Sequence, residues 1–199
     1  MDHSPSSHLR YKDRDYWDER YRHEETFEWF GAFSRFEHLL KEEIRGDEAI
    51  LILGCGNSSM SYDMFMSGYR SITNIDFSAT CIEKMASKYA SCSGMEWKIM
   101  DAKALEFENE SFDVVLEKGT LDAMMVDETD PWNVSQETKE NIDQVLKEDQ
   151  LQRWNRMSQP SRRWSTQRGE MVQTLHHYII PLHLPSAQTH PPQLGINQD

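Results

Sequence analysis

No run of about 18 consecutive apolar residues occurs in the 199-residue chain, and its opening Met-Asp-His-Ser-Pro-Ser-Ser-His has neither the basic nor the apolar part of a secretory leader. Nothing in such a sequence directs it into or across a membrane, and it reads as cytoplasmic. Cysteine is scarce: Cys55, Cys81 and Cys92 are an odd number with no Cys-x-x-Cys spacing. That excludes a disulfide framework and suggests no zinc site, leaving the three as small buried thiols. Basic residues are also few, 21 against 34 acidic, for a net charge of −13. The imbalance is concentrated, because from Gln150 onward there are five Arg and two acidic residues, whereas the first 149 residues hold 16 basic and 32 acidic. Such a surface repels phosphate backbones and suits a basic protein partner, so nucleic acid is disfavoured. The length allows one domain of ordinary size. No feature of the sequence specifies an oligomeric state.

Residues 1–10 read as disordered. Between Tyr11 and Tyr21 charge alternates with aromatics, and Phe33, Phe36, Leu39, Leu40 and Ile44 then fall at helical spacing, predicting an amphipathic helix over 33–44. Ala49–Leu53 is a short, continuously apolar run, the mark of a strand covered on both faces. A helix over 59–67 ending at Gly68 follows, then a strand at 71–76, a helix at 78–89 with Ser78 as N-cap, and strands at 95–100 and 111–116. Strands alternating with helices imply right-handed β-α-β units: an α/β, Rossmann-like parallel sheet with helices on both faces. Ligands in such sheets bind at the carboxyl ends of the strands, where Gly54, Asp76, Asp101 and Lys118 stand.

Gly54-Cys-Gly56 allows a sharp turn and close approach of backbone to a ligand. Asp76, 22 residues after Gly54 and at the end of the next strand, is placed to accept two ribose hydroxyls. A tight strand-to-helix turn alone would also want two glycines; the added carboxylates at the ends of successive strands favour a nucleoside cofactor. Two classes fit, a dinucleotide such as NAD and S-adenosylmethionine. Ser59 occupies the place of the third glycine of the dinucleotide fingerprint, and 199 residues leave no room for the substrate domain a dehydrogenase usually needs, so both points weigh against NAD.

Longer words then become specific: Asp15-Tyr-Trp-Asp-Glu-Arg-Tyr21, Glu28-Trp-Phe30, Leu51-Ile-Leu-Gly-Cys-Gly-Asn-Ser58, Asn74-Ile-Asp76, Met100-Asp101, Phe112-Asp-Val-Val-Leu-Glu-Lys-Gly-Thr-Leu-Asp-Ala123 and Asp143-Gln-Val-Leu146. With these, the sequence resembles the class I, seven-strand S-adenosylmethionine-dependent methyltransferases, and within them the elongation factor 1-alpha lysine methyltransferases, over about residues 11–148. The resemblance implies that Trp17, Tyr21 and Trp29 close over the cofactor and that Gly54 approaches its amino-acid part. It further implies that Asp76 and Phe77 hold the ribose and flank adenine, Asp101 and Ala102 read the adenine amino edge, and Lys118 lines the pocket. The implied reaction is in-line attack of a lysine ε-amine on the sulfonium methyl, with elongation factor 1-alpha or a similar basic protein as substrate. No catalytic base is assigned; Glu117 and Asp122 are the carboxylates near enough in sequence to orient the amine.

The resemblance ends near residue 148. The family continues with further strands, whereas here 149–199 is rich in Gln, Pro and His without Lys, as an alternative splice would produce. The expectation is a methyltransferase domain over 11–148 lacking the last strands of its sheet, an uncovered edge on the fourth strand, a helix near 141–146 without its partner, and a mostly disordered tail over 149–199. Activity would then be impaired, or the chain would be a non-catalytic cofactor-binding or regulatory fragment. His176, His177, His183 and His190 lack rigid ligand spacing, so no metal is expected. The five tail arginines with Trp154 and Trp164 read as part of the same disordered segment.

Overall fold

The computed structural model describes residues 8–126, 134–152 and 179–181. Its helices are α1 (Arg14–His23), α2 (Glu37–Glu43), α3 (Met60–Met66), α4 (Ala79–Lys88), α5 (Thr120–Met124) and α6 (Gln136–Gln152). Its strands are β1 (Ala49–Leu53), β2 (Ser71–Asp76), β3 (Met95–Ile99), β4 (Val114–Glu117) and β5 (Ile179–Pro181), joined in the order β3-β2-β1-β4-β5. Every neighbouring pair is parallel. The order turns back between β1 and β4, and a crevice opens at the carboxyl ends where such a reversal falls.

Side chains alternate along a strand, so an apolar run covered on both faces serves two layers at once. Ile50 and Ile52 pack with Phe36 and Leu40 of the α2 region and with Met60 and Met64 of α3. Leu51 and Leu53 point the other way, to Ile75, Val115, Leu121, Met124 and Val145. Leu40, Ile50, Leu51 and Ile75 are fully buried, and each such side chain contributes roughly 1.5–3 kcal/mol by leaving water. Helix α1 lies against α4 and contributes Tyr16, Trp17 and Tyr21 to a third cluster with Cys81 and Met85. Strand β3 is the weakly buried edge; Lys98 and Glu96 face outward there, charges that discourage pairing with another chain.

β1 and β2 have the expected bounds, and Ser78 caps α4 by accepting from the Cys81 N–H at 3.1 Å. The predicted helix over 33–44 is instead divided: Phe33–Arg35 is a 3-10 turn, closed by Phe36 N donating to Phe33 O at 2.8 Å, before α2 begins. This keeps Phe33, Phe36, Leu40 and Ile44 all buried. β4 starts later than expected because Asp113 is held by the Ala49 backbone, its Oδ2 accepting from Ala49 N at 2.9 Å, and it runs on to Glu117.

Several expectations for the ends of the chain need correction. His8–Lys12 is a 3-10 helix, so order begins before residue 11. The helix near 141–146 extends over 136–152, across the expected domain boundary at 148, and it has a partner: Val145 is buried against Leu51, Leu53 and Val115. The edge of β4 is not bare, since Val115, Leu116 and Glu117 pair with Ile179, Ile180 and Pro181. Proline lacks the N–H of a ladder donor, and here it closes the strand. The remainder of the expected tail, including the histidines and arginines noted above, lies outside the described residues.

Candidate cofactor site

The chain leaves β1 through Gly54 (φ +58) and Gly56 (φ +53), both in the left-handed region open to glycine. A Cβ on Gly54 would fall 2.1 Å from Thr120 Oγ1, and one on Gly56 would fall 3.0 Å from the Tyr21 hydroxyl. The turn is therefore pressed between the start of α5 and the N-terminal helix. Between the two glycines, Cys55 N donates to Ile75 O at 2.9 Å, tying the turn to the end of β2.

Asp76 ends β2 and is buried. Its Oδ2 accepts from Gly56 N at 3.0 Å and its Oδ1 from Ser78 N at 2.9 Å. Burial pushes its carboxyl up to about 6 despite these two N–H donors, and the nearby Asp18 adds to the rise. Each oxygen of a carboxylate has two acceptor positions, so one remains on each for a pair of hydroxyls. At the end of β3, Asp101 Oδ1 accepts from Lys103 N at 2.9 Å, and Ala102 is buried beside it.

An N-terminal segment forms the roof. Trp17 stacks on Tyr21 with centroids 5.5 Å apart, Trp29 meets Trp17 edge-on, and Trp17 Nε1 donates to Tyr11 O at 2.7 Å. The segment is latched to the sheet at several points. Asn57 Nδ2 donates to Glu24 O at 3.2 Å, Ser78 Oγ to Asp18 Oδ1 at 2.5 Å, and Lys84 Nζ to Glu24 O at 3.0 Å. Glu28 gathers three donors: Ser59 N at 2.6 Å, Ser58 Oγ at 2.7 Å and Lys118 Nζ at 3.0 Å. Burial alone would raise the Glu28 carboxyl, but those donors together hold it below the usual carboxylate range.

Beneath the roof lies a cavity of about 300 Å³, the low end of the range for small-molecule sites. Trp17, Tyr21, Trp29, Gly54, Asp76, Phe77, Asp101, Ala102 and Lys118 all line it. The structure thus brings to one cavity the nine residues expected to contact the cofactor. Lys118 has a second role that the sequence did not reveal: its ammonium is turned to Glu28 and to Trp29 O at 2.9 Å, holding the roof. Glu117 and Asp122 do not border the cavity. Glu117 is buried and faces its own turn, Oε1 accepting from Gly119 N at 2.6 Å and Leu121 N at 3.2 Å, which corrects its reading as an orienter of substrate.

Sequence reasoning missed Tyr11, Asp18, Glu24, Glu28 and Asn57. Glu28 lies within a word that carried the resemblance, but its partners are 30 to 90 residues away, a separation no local pattern encodes. Below the turn, Cys55, Cys81 and Asp76 form a donor cluster with ligand atoms within 4.8 Å of one another. Burial pushes the Cys55 thiol well up, and the Cys81 thiol is also raised, its burial and nearby acids outweighing the hydrogen bond with Cys55. Protonated thiols are poor metal ligands.

Comparison with known proteins fits this geometry. A sequence profile described as a methyltransferase domain matches residues 50–148. Over those residues the chain belongs to the methyltransferase-domain class. Within that class, a mouse protein named EEF1A lysine methyltransferase 4 is 46% identical over 147 residues, which are 72% of this chain and 58% of the relative. A Drosophila pseudoobscura protein named eEF1A lysine and N-terminal methyltransferase homolog is 40% identical over 147 residues, 72% of this chain and 21% of its own. The chain therefore spans little more than half the length of the mouse relative. A solved S-adenosylmethionine-dependent methyltransferase from Methanosarcina mazei aligns over 58% of this chain and 51% of its own, at 22% identity and a TM-score of 0.46, too loose a likeness to bear on function.

The residues present fit the cofactor of this family. The open acceptor positions of Asp76 suit a ribose diol, Asp101 and Ala102 offer a polar and an apolar contact for a base, and the aromatic roof suits a cation. The left-handed glycines remove the side chains that would fill the cradle.

Proposed function

We propose that the chain is a cytoplasmic protein-lysine methyltransferase that uses S-adenosylmethionine and acts on a basic protein, with elongation factor 1-alpha as the first candidate because the relatives' names specify it. The observation that carries this reading is the convergence of Trp17, Tyr21, Trp29, Gly54, Asp76, Phe77, Asp101, Ala102 and Lys118 on one cavity at the carboxyl ends of β1 to β4. The acidic surface of the first 149 residues fits a basic protein and not nucleic acid. No described helix is long and apolar enough to cross a membrane.

When bound, the cofactor supplies a methyl group carried on a sulfonium. Asp76 would accept from its ribose hydroxyls, Phe77 flank its base, and Asp101 with Ala102 read the amino edge. Trp17, Tyr21 and Trp29 exclude water from the same space. Methyl transfer needs a neutral amine held in line more than it needs an acid–base pair, and desolvation beneath an aromatic roof favours the neutral form of an amine. Glu117 is committed to its own backbone turn, so positioning and desolvation carry the rate.

The test is incubation of the purified chain with isotopically labelled S-adenosylmethionine and purified elongation factor 1-alpha, followed by mass spectrometry. Methyl-lysine is expected with the native chain and is lost with Asp76→Asn. Absence of methyl-lysine from a preparation that demonstrably binds S-adenosylhomocysteine would contradict the proposed activity.

A further inference from the structure

Helix α6 carries a polar side chain where its own pattern calls for an apolar one. Thr138 and Val145 are buried, and Val145 packs on Leu51, Leu53 and Val115 of the sheet. Asn141, three residues from one and four from the other, falls between them on the sheet-facing stripe of the helix. Asn141 borders the cavity, and so does Glu137, four residues before it at the edge of the same stripe. A polar residue on a stripe built for packing marks a site in place of core. The two differ in depth. Glu137 is exposed and Asn141 half-buried, one helical turn or about 6 Å further along the axis toward Val145.

The wall they complete is the one that follows β4. Asp76, Asp101 and Ala102 stand at the ends of β2 and β3, whereas α5 begins at the end of β4, across β1 in the sheet order. Thr120, Ala123 and Met124 of α5 line the cavity there, and α5 packs against α6. The nine residues expected to contact the cofactor are buried or half-buried, without exception. Glu137, exposed at the rim, meets what arrives from solvent. The acidic balance of residues 1–149 draws the same kind of partner, a basic protein.

We propose that Glu137 and Asn141 form the acceptor entrance. Glu137 draws in the ammonium of the substrate lysine, and Asn141 Oδ1 then accepts a hydrogen bond from the amine and turns its lone pair into the cavity. The inference rests on the reading of the cavity as a lysine methyltransferase site. A carboxylate attracts an ammonium but also holds its proton in place, which suits capture and not reaction. An amide oxygen accepts from the N–H of a neutral amine without adding charge, which suits the deeper position. The ammonium gives its proton to water at the rim. The nitrogen lone pair then forms the N–C bond as the S–C bond breaks, and the electron pair of that bond returns to sulfur.

The test uses a short basic peptide with one lysine, labelled S-adenosylmethionine and four variants. Glu137→Gln is expected to raise KM about fivefold with kcat near the native value. Glu140→Gln, which removes the same charge from the same helix at a position that does not border the cavity, should leave KM unchanged. Asn141→Ala should lower kcat about tenfold. Asn141→Asp keeps an acceptor oxygen but stabilises the ammonium, so its kcat profile should move to higher pH. S-adenosylhomocysteine affinity, measured by calorimetry, should match the native value in all four. In parallel, the native chain saturated with S-adenosylhomocysteine should bind the lysine peptide more tightly than its norleucine counterpart, a preference that Glu137→Gln reduces. An unchanged KM in Glu137→Gln, an equal rise in Glu140→Gln, an unshifted profile in Asn141→Asp, or weaker S-adenosylhomocysteine binding in the Glu137 or Asn141 variants overturns the acceptor entrance. Failure of the native chain to bind S-adenosylhomocysteine, or to methylate any lysine peptide, would instead overturn the reading of the cavity on which the entrance depends.

Discussion

Asp76 shows how one buried side chain ties turn, helix and ligand together. Both of its oxygens are held by backbone N–H groups of the two segments that follow β1 and β2, Gly56 and Ser78, so its position is set before any ligand arrives. Burial lifts its carboxyl to about 6. Because an unfolded aspartate releases its proton near pH 4, the folded chain holds a proton between about pH 4 and 6 that the unfolded chain has lost. This group therefore opposes folding increasingly as pH rises through that window, and its full cost is present above about 6. Ribose hydroxyls need the ionised acceptor, so ligand affinity runs the other way. Titration of S-adenosylhomocysteine by calorimetry should show affinity falling from pH 7.5 to 5.5. In Asp76→Asn the affinity at pH 7.5 should be lower by roughly 1.5–3 kcal/mol, the usual worth of a hydrogen bond to a charged group, with the pH dependence flattened. Equal affinity at the two pH values would show that Asp76 is not the ribose acceptor.

At the scale of elements, the molecule is a parallel sheet with a latched N-terminal roof, and the two differ in how legible they are. β1, β2 and α4 could be read directly because their signals are local: a continuous apolar run, a turn of glycines, a serine three residues before the N–H it accepts. The roof was legible only as a cluster of aromatics. Its fastenings, Glu28 on Ser59 and Lys118 or Asn57 on Glu24, join residues distant in sequence and exist only once the sheet has formed. For the same reason the place of Glu117 is not legible in the sequence, since its commitment to Gly119 N depends on the turn after β4. The Lys118–Glu28 pair, with side chains only 8% and 20% exposed, should be worth more than a surface ion pair. Lys118→Met leaves Glu28 short of its counter-charge and frees the Trp29 carbonyl. The expected cost is about 3 kcal/mol, seen as a Tm lower by several degrees, with faster amide hydrogen exchange over residues 24–31 and weaker S-adenosylhomocysteine binding. A change in Tm without faster exchange in that segment would place the role of Lys118 elsewhere.

Across the whole molecule these elements make one cofactor-binding domain. α6 and β5 matter here. Val145 seals the face of β1 and β4, and Ile179–Pro181 adds a strand where an open edge was expected, so residues from the C-terminal part of the chain belong to the fold. Ser59 argued against a dinucleotide on grounds of close approach, and the structure adds that Glu28 occupies the Ser59 N–H, where a pyrophosphate would need to sit. The most direct measurement is thermal unfolding of the purified chain with excess S-adenosylhomocysteine and, separately, with NAD. A ligand at about 100 times its Kd that binds only the folded form adds nearly 3 kcal/mol, so a cooperative transition should move up by several degrees with S-adenosylhomocysteine and stay in place with NAD. No shift with saturating S-adenosylhomocysteine, or an equal shift with NAD, would contradict the account.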